Sequence, residues 1–439
     1  MPLLRLSLPP HRLLLVGRRR LGSLPPTPRH YRACVRASAS AAAVSVAVEE
    51  AHGLPFPPER AAYHRELAAA AAAVERACRL CVDVRRTLLS GDKKILEKND
   101  QTPVTVADFG VQALISLELQ RSFPTIPLVA EEDSASVRSN NVLVESISSA
   151  VADNVSHVDS PLTHDDVLRA IDRGGKDVVS SSTYWVLDPI DGTQGFLRGD
   201  DTLYLVGLAL LVNGKAVVGV MGCPNWASDT IDNGKVDNSA SPLDRGILTV
   251  AHVGCGTWSR RLSIKIGQFT MAHDTWNRYL VDSCSDIHKA RFCLSDNQTW
   301  NMIPLSVLFN STMDESNRRD ENEILISYVH SGSLCKYLTV ASGRASVFVL
   351  KARTKTLKSW DHAVGVICVE EAGGQISDWS GKPLDLAADL TARRDICPWG
   401  GILITNGVLH DELVEMISAN HSNTYAYYMT KVALFPSEQ

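Results

Sequence analysis

The chain has 439 residues, 45% of them hydrophobic and 21% charged, which is enough apolar surface for one large domain or two to three smaller ones and excludes collagen-like and disordered chains. Its longest strongly apolar stretch, Leu203–Val212, is half the roughly 20 residues that a membrane-spanning helix needs, so the reading is of a soluble globular protein. The net charge of −5 joins two unlike parts: residues 1–48 hold eight arginines with no lysine or acidic residue, which leaves −13 for residues 49–439, a balance that argues against binding to nucleic-acid polymers or anionic membranes and suits either carboxylates gathered around cations or simply a soluble acidic surface.

In chain order, residues 1–48 are rich in Arg, Leu, Ser and Ala. Such a leader predicts a cleaved transit peptide for the mitochondrion or the chloroplast. Glu59–Ser90 reads as one long alanine-rich helix ended by Gly91 and Asp92. It carries Cys78 and Cys81, a pair with no second CxxC nearby, read as core-facing rather than as a zinc or redox site. A second helix is predicted over Ala107–Phe123, followed by a short strand, Ile126–Ala130. Residues 132–182 form a polar insertion, mostly loop, with one helix at Pro161–Ile171. Tyr184–Leu187 is a strand that runs into Asp-Pro-Ile-Asp-Gly-Thr. Leu203–Val212 and Lys215–Gly222 form a hairpin around Asn213–Gly214, and Trp226–Asp244 is a polar insertion. We place a domain boundary near residue 245, giving an N-terminal domain over 55–245 and a C-terminal one over 246–430. In the latter, strands at Gly246–Val250 and near Tyr279–Asp282 precede a second insertion, 296–322. Then come a helix at Leu334–Ser342, a strand at Ala345–Leu350, an apolar helix at Trp360–Glu371 closed by Gly373–Gly374, a strand at Gly401–Thr405 and a last helix.

Four acidic clusters sit at element ends: Asp108, Glu131-Glu132-Asp133, Asp188 with Asp191, and Asp361. Pro189 and Gly192 restrict and release the backbone so that Asp188 and Asp191 can aim at one spot, with the Ile190 carbonyl between them. Asp361 stands where a helix begins, and is read either as a helix cap or as a ligand. Carboxylates that converge repel one another unless cations lie between them. Oxygen donors without His or Cys partners favour Mg²⁺ over zinc. Two such ions about 4 Å apart clamp a phosphate and support its hydrolysis.

Ala-Glu-Glu-Asp (130–133), Trp-Val-Leu-Asp-Pro-Ile-Asp-Gly-Thr (185–193) and Trp-Asp-His-Ala-Val-Gly (360–365), in that order, resemble the lithium-sensitive inositol monophosphatase superfamily. Asp-Gly-Thr-Gln-Gly-Phe-Leu-Arg-Gly (191–199), Met-Gly-Cys-Pro-Asn (221–225) and the Ser333 to Tyr337 segment resemble its 3′(2′),5′-bisphosphate nucleotidase branch, and within it the plant organellar members. The resemblance implies an α+β fold, a layered α/β/α/β/α sandwich. It implies a first Mg²⁺ on Glu131, Asp188 and the Ile190 carbonyl, a second on Asp188, Asp191 and Asp361, and a weaker third near Glu131. Asp108 and Thr193 would activate the attacking water, with Glu131 beside them. Gly192, Thr193, Ser333, Lys336 and Asp361 would face the substrate. The implied reaction removes the 3′-phosphate of adenosine 3′,5′-bisphosphate, and of 3′-phosphoadenosine 5′-phosphosulfate, with inhibition by Li⁺ or Na⁺. Gln194, where the branch often has lysine, and Leu350, where it has arginine, depart from the pattern, with Lys351 and Arg353 just beyond. Alternatives are an inositol mono- or polyphosphate phosphatase, a sugar-bisphosphate phosphatase, or a weakly active nucleotide-binding regulator whose insertions dock a partner. The oligomeric state is not legible.

Overall fold

Strands that are apolar on both faces, and two helices that are apolar all round, place this chain among layered folds in which sheets are covered on both sides. The computed structural model describes residues 53–89, 95–97, 103–156, 161–175, 181–198, 202–226, 246–262, 275–295, 298–307, 310–312, 323–329 and 331–419. The arginine-rich leader, the insertion after Trp226 and the outer parts of the insertion at 296–322 lie outside them. No helix among the described residues is long and apolar enough to cross a membrane.

The elements in chain order begin with α1 (His64–Leu89), the antiparallel pair β1 (Ile95–Glu97) and β2 (Pro103–Thr105), α2 (Val106–Ser122), β3 (Leu128–Ala130), α3 (Asn141–Ala152), α4 (His164–Asp172), β4 (Thr183–Asp191), α5 (Thr193–Arg198), β5 (Leu205–Val212) and β6 (Lys215–Cys223). They continue with β7 (Ile247–His252), β8 (Gly256–Arg261), β9 (Asn277–Tyr279), β10 (Arg291–Ser295), β11 (Asn310–Thr312), β12 (Glu323–Val329), α6 (Ser333–Ala341), β13 (Val347–Lys351), β14 (Leu357–Lys358), α7 (Ala363–Glu371), β15 (Gln375–Asp378), β16 (Asp395–Ile396) and β17 (Gly401–Thr405). A last helix, α8, covers 410–419.

Strands β3 to β9 form a seven-stranded sheet in chain order, parallel only between β3 and β4. The second sheet has six strands in the order β11-β12-β10-β13-β17-β15. Alternation along each strand sorts side chains into separate cores. In β4, Trp185 and Leu187 face the core beneath α1 and α2, whereas Tyr184 and Val186 face the core that holds α6 and α7. In β13, Phe348 points to α6 and α7, while Val347 and Val349 join Leu413 and Ile417 of α8 on the far face. The layers are therefore helix, sheet, helix, sheet, helix. Lying between two sheets explains why Ala363 to Val369 of α7 are all buried. Each Val, Leu or Ile so enclosed contributes about 1.5–3 kcal/mol relative to exposure.

The local signals act as the sequence suggests. Asn213 and Gly214 both have positive φ at the tip of the β5–β6 hairpin, the geometry of a type I′ turn. Helix α7 ends in a paired cap, Gly373 N–H to the Glu370 carbonyl and Gly374 N–H to the Val369 carbonyl. Cys78 and Cys81 are buried on α1, and Cys78 lies so close to Gly222 of β6 that a Cβ there would meet its sulfur.

The structure differs from expectation in several places. The 132–182 segment holds a second helix, α3, capped by the Asn140 side chain on the Leu143 N–H; its buried Leu143, Val144, Ile147 and Val151 are interspersed with serines that mask the stripe. The predicted helix at Pro161–Ile171 starts at His164, because Thr163 and Asp166 form a capping box. The first sheet also runs past residue 245: β7 pairs with β6 from Val218 to Cys223, and β8 and β9 extend the same sheet. Residues 50–439 form one compact unit.

Candidate active site

The site is built where β4 ends. Asp188 pairs with Gly207 and Asp191 with Leu205, so one extra residue enters β4 between them. Such a bulge bends a strand and re-aims its side chains, and Pro189 withholds an N–H that the ladder would otherwise use. The chain then turns at Gly192, φ +86°, where a Cβ would lie 2.9 Å from the Gly332 nitrogen and 3.1 Å from the Leu203 carbonyl. Thr193 opens α5 directly afterwards, and its hydroxyl lies 3.1 Å from the Ile190 carbonyl and 3.4 Å from Asp108 Oδ1. One proton serves these two acceptors alternately.

Asp191 reaches across to the other half of the molecule. Its Oδ2 accepts the Cys335 N–H at 3.1 Å in the first turn of α6, where a helix favours negative charge. Gly332 precedes that helix, and a Cβ on it would collide with the Asp191 carboxylate. Asp361 arrives from the turn before α7. The cap position of α7 belongs to His362, which makes no capping bond through its side chain. Of the two roles read for Asp361, the capping one is therefore not taken. His362 is buried, shares a 3.0 Å hydrogen bond with the Tyr337 hydroxyl, and is held neutral by burial, its pKa lowered to about 3.

Glu131 and Glu132 follow β3. The buried Gln112, one turn beyond Asp108 on α2, donates to the Glu132 carbonyl at 2.7 Å and accepts the Glu132 N–H at 2.9 Å. It also donates to the Ile171 carbonyl, and so ties α2, β3 and α4 together beside Glu131. Glu132 itself is buried.

Carboxylate oxygens of Asp188, Asp191 and Asp361 all lie within 4.8 Å of one another. Burial pushes the Asp188 pKa well above the usual range, and the charges of Asp191, Asp361, Glu131 and Asp108 push it further. All five predicted acidic groups thus share one field. Burial, then Asp191 and Glu131, raise Asp361 to about 8. Asp191 is raised to about 6 by burial, against the pull of Lys336 and its own hydrogen bonds. Among the described residues, Asp188 Oδ1 is buried with no hydrogen-bond partner. A buried carboxylate oxygen without a donor, among like charges and oxygen donors only, fits a hard divalent cation.

The expected substrate-facing residues divide. Gly192, Thr193 and Asp361 lie at the cluster, and Ser333 opens α6 beside it. Lys336 is buried, with Nζ donating to the carbonyls of Ser331 (2.6 Å) and Gly332 (3.0 Å). Gln194 is exposed, and Leu350 packs against the core between the sheets, with Lys351 and Arg353 exposed after it. Gln112 was not singled out from sequence. Its signal, a polar residue at i+4 from a candidate base inside an apolar helix, was present.

Fold and site together define a layered α+β protein organised around a carboxylate cluster suited to hard cations. The chain belongs to the inositol monophosphatase family, which matches residues 62–422. An Arabidopsis thaliana protein provisionally named a mitochondrial 3′(2′),5′-bisphosphate nucleotidase is 55% identical over 372 residues, covering 83% of this chain and 90% of the relative. A second from that plant, named 3′,5′-bisphosphate nucleotidase 2, is 38% identical over 74% of this chain and 89% of its own. A 3′(2′),5′-bisphosphate nucleotidase of Oryza sativa is 33% identical over 81% and 94%. Among solved structures, an inositol monophosphatase from Anabaena is 19% identical, with a TM-score of 0.48 over 82% of this chain and 97% of that one.

Proposed function

We propose that this chain is a Mg²⁺-dependent phosphomonoesterase that converts adenosine 3′,5′-bisphosphate to AMP and phosphate, accepts 3′-phosphoadenosine 5′-phosphosulfate as well, and is inhibited by Li⁺ or Na⁺. The observation that carries the reading is the convergence of Asp188, Asp191 and Asp361 around an unpartnered carboxylate oxygen, in the field of Glu131 and Asp108. The choice of a nucleotide over other phosphate esters rests on the relatives described above, which at 33–55% identity all bear nucleotidase names.

Glu131, Asp188 and the Ile190 carbonyl would hold one Mg²⁺, and Asp188, Asp191 and Asp361 a second, with a weaker third beside Glu131. When bound, these cations supply positive charge to the phosphate and leaving oxygens. The Thr193 hydroxyl accepts a hydrogen from the attacking water while donating its own to Asp108, which takes up the proton. The N–H groups of Gly192 and Thr193, at the start of α5, would face the phosphate oxygens. Lys336 holds the two carbonyls that lead into α6 and so sets the position of Ser333 against the nucleotide.

The arginine-rich leader, together with the mitochondrial name of the relative at 55% identity, supports delivery to the mitochondrion. A fluorescent protein fused after residue 60 tests this: mitochondrial fluorescence is expected, and plastid fluorescence contradicts it. The activity is tested by phosphate release from adenosine 3′,5′-bisphosphate, inositol 1-phosphate and fructose 1,6-bisphosphate side by side, with Mg²⁺, with and without Li⁺. A clear kcat/KM preference for the nucleotide is expected. Preference for inositol 1-phosphate would keep the metal site and overturn the nucleotide assignment.

A further inference from the structure

Arg394 lies far from every acidic cluster in sequence, yet its guanidinium sits against the segments that carry two of the candidate ligands. Nη1 donates to the Gly175 carbonyl at 2.6 Å and to the Gly174 carbonyl at 3.4 Å, and Nη2 donates to the Glu131 carbonyl at 3.4 Å. The same guanidinium lies 4.8 Å from the ring centroid of Trp360, the residue immediately before Asp361. The backbone repeats the link, because the Ser359 N–H donates to the Arg394 carbonyl at 2.8 Å. Arg394 is itself fixed through its N–H to Asp389 Oδ2 at 3.0 Å. Gly174 closes the loop, since its carbonyl also accepts the Ala130 N–H at the end of β3.

We propose that Arg394 is a positioning residue that sets Glu131 and Asp361 at the spacing required for cation binding, by joining the end of β3 to the Trp360–Asp361 turn. This rests on the metal-dependent reading above. An arginine suits the task because its planar fork reaches several carbonyls while its face stacks on an indole, which a lysine ammonium cannot do at once. Its charge also lies in the field of Glu131 and Asp133. It touches no reacting atom, so it acts on ligand geometry, and groups that orient ligands in this way commonly change metal affinity 10- to 100-fold when removed.

The test is Mn²⁺ binding to the substrate-free, full-length protein by titration calorimetry, for wild type, Arg394→Lys, Arg394→Gln and Trp360→Phe. Alongside it run urea unfolding without metal, and KM for adenosine 3′,5′-bisphosphate at saturating Mg²⁺. We expect Mn²⁺ binding about tenfold or more weaker in both Arg394 variants, because lysine keeps the charge but not the fork. A KM within about threefold of wild type, and a raised Mg²⁺ requirement for hydrolysis, are expected with it. Should Arg394→Gln fail to fold, Arg394→Lys and Trp360→Phe carry the test, the latter weakening Mn²⁺ binding in the same direction. Wild-type Mn²⁺ affinity in folded Arg394 variants overturns the inference, as does a loss of affinity that only tracks a lowered urea midpoint. Absence of Mn²⁺ binding by the wild-type protein instead overturns the metal-dependent reading on which it rests.

Discussion

The Asp191 carboxylate occupies the space that a Cβ on Gly332 would fill. One side of the relationship comes from the end of β4 and the other from the residue before α6, so two distant turns must both be glycine-tight for the candidate metal cluster to form. Gly332→Ala would drive a methyl group into a charged oxygen that the Cys335 N–H holds from the other side. We predict a fall in kcat/KM of about 100-fold and a loss of about 1–3 kcal/mol of stability, the usual cost of an added carbon without space. Steady-state phosphate release and urea unfolding measure the two. Wild-type activity in a stable variant would show that Asp191 can shift without consequence.

The like charges of Asp191, Asp361, Glu131 and Asp108 all crowd Asp188. Asp188→Asn removes the Asp188 charge while keeping the shape. The metal-free variant is expected to be at least as stable as wild type, because a buried and repelled carboxylate is gone. Hydrolysis should fall by about 1000-fold or more, since the carboxylate that would serve both proposed cations is lost. Activity within tenfold of wild type contradicts the two-metal assignment.

Thr193 links the Ile190 carbonyl to Asp108. Thr193→Val keeps the β-branched shape and removes the hydroxyl. A fall in kcat of about 100-fold with little change in KM is expected for a group that acts on the attacking water. A change confined to KM would place Thr193 in substrate binding alone.

The pH dependence has a defined sign. Asp361 and Asp191 are raised to about 8 and about 6 from an unfolded value of 3.8, so the folded, metal-free chain holds protons that the unfolded chain releases. Their contribution to stability is therefore greatest below pH 4 and is lost as pH rises from about 4 to 8. A cation must displace those protons. Its apparent affinity should rise about tenfold per pH unit for each proton displaced between pH 6 and 8. Mn²⁺ titrations at pH 6, 7 and 8 read this directly, and an affinity independent of pH would contradict the site's protonation state.

How much of this was legible in sequence depends on how local each feature is. The Asp188–Thr193 turn could be read because Pro189, Gly192 and both carboxylates lie within six residues, and the structure places Asp188, Pro189 and Asp191 on one bulge with Gly192 directly after it. The capping role weighed for Asp361 could not be resolved from sequence, because a one-residue shift gives the cap to His362. Gln112 and Arg394 escaped notice because each acts through backbone carbonyls of segments 20 to 263 residues away. Residues at such distances leave no spacing pattern to read. The continuation of the first sheet beyond residue 245 was hidden for a related reason. Strands β6 and β7 pair closely, but the chain between them is too long to signal a hairpin.

The most direct test of the account is phosphorus NMR of adenosine 3′,5′-bisphosphate incubated with the full-length protein, with Mg²⁺ and with chelator, for wild type and Asp188→Asn. The account predicts that the 3′-phosphate resonance disappears with wild type and Mg²⁺, while the 5′-phosphate resonance persists as AMP and inorganic phosphate grows. Both resonances should persist with chelator or with Asp188→Asn. Loss of the 5′-phosphate first, or release of phosphate that continues in chelator or in Asp188→Asn, would contradict it.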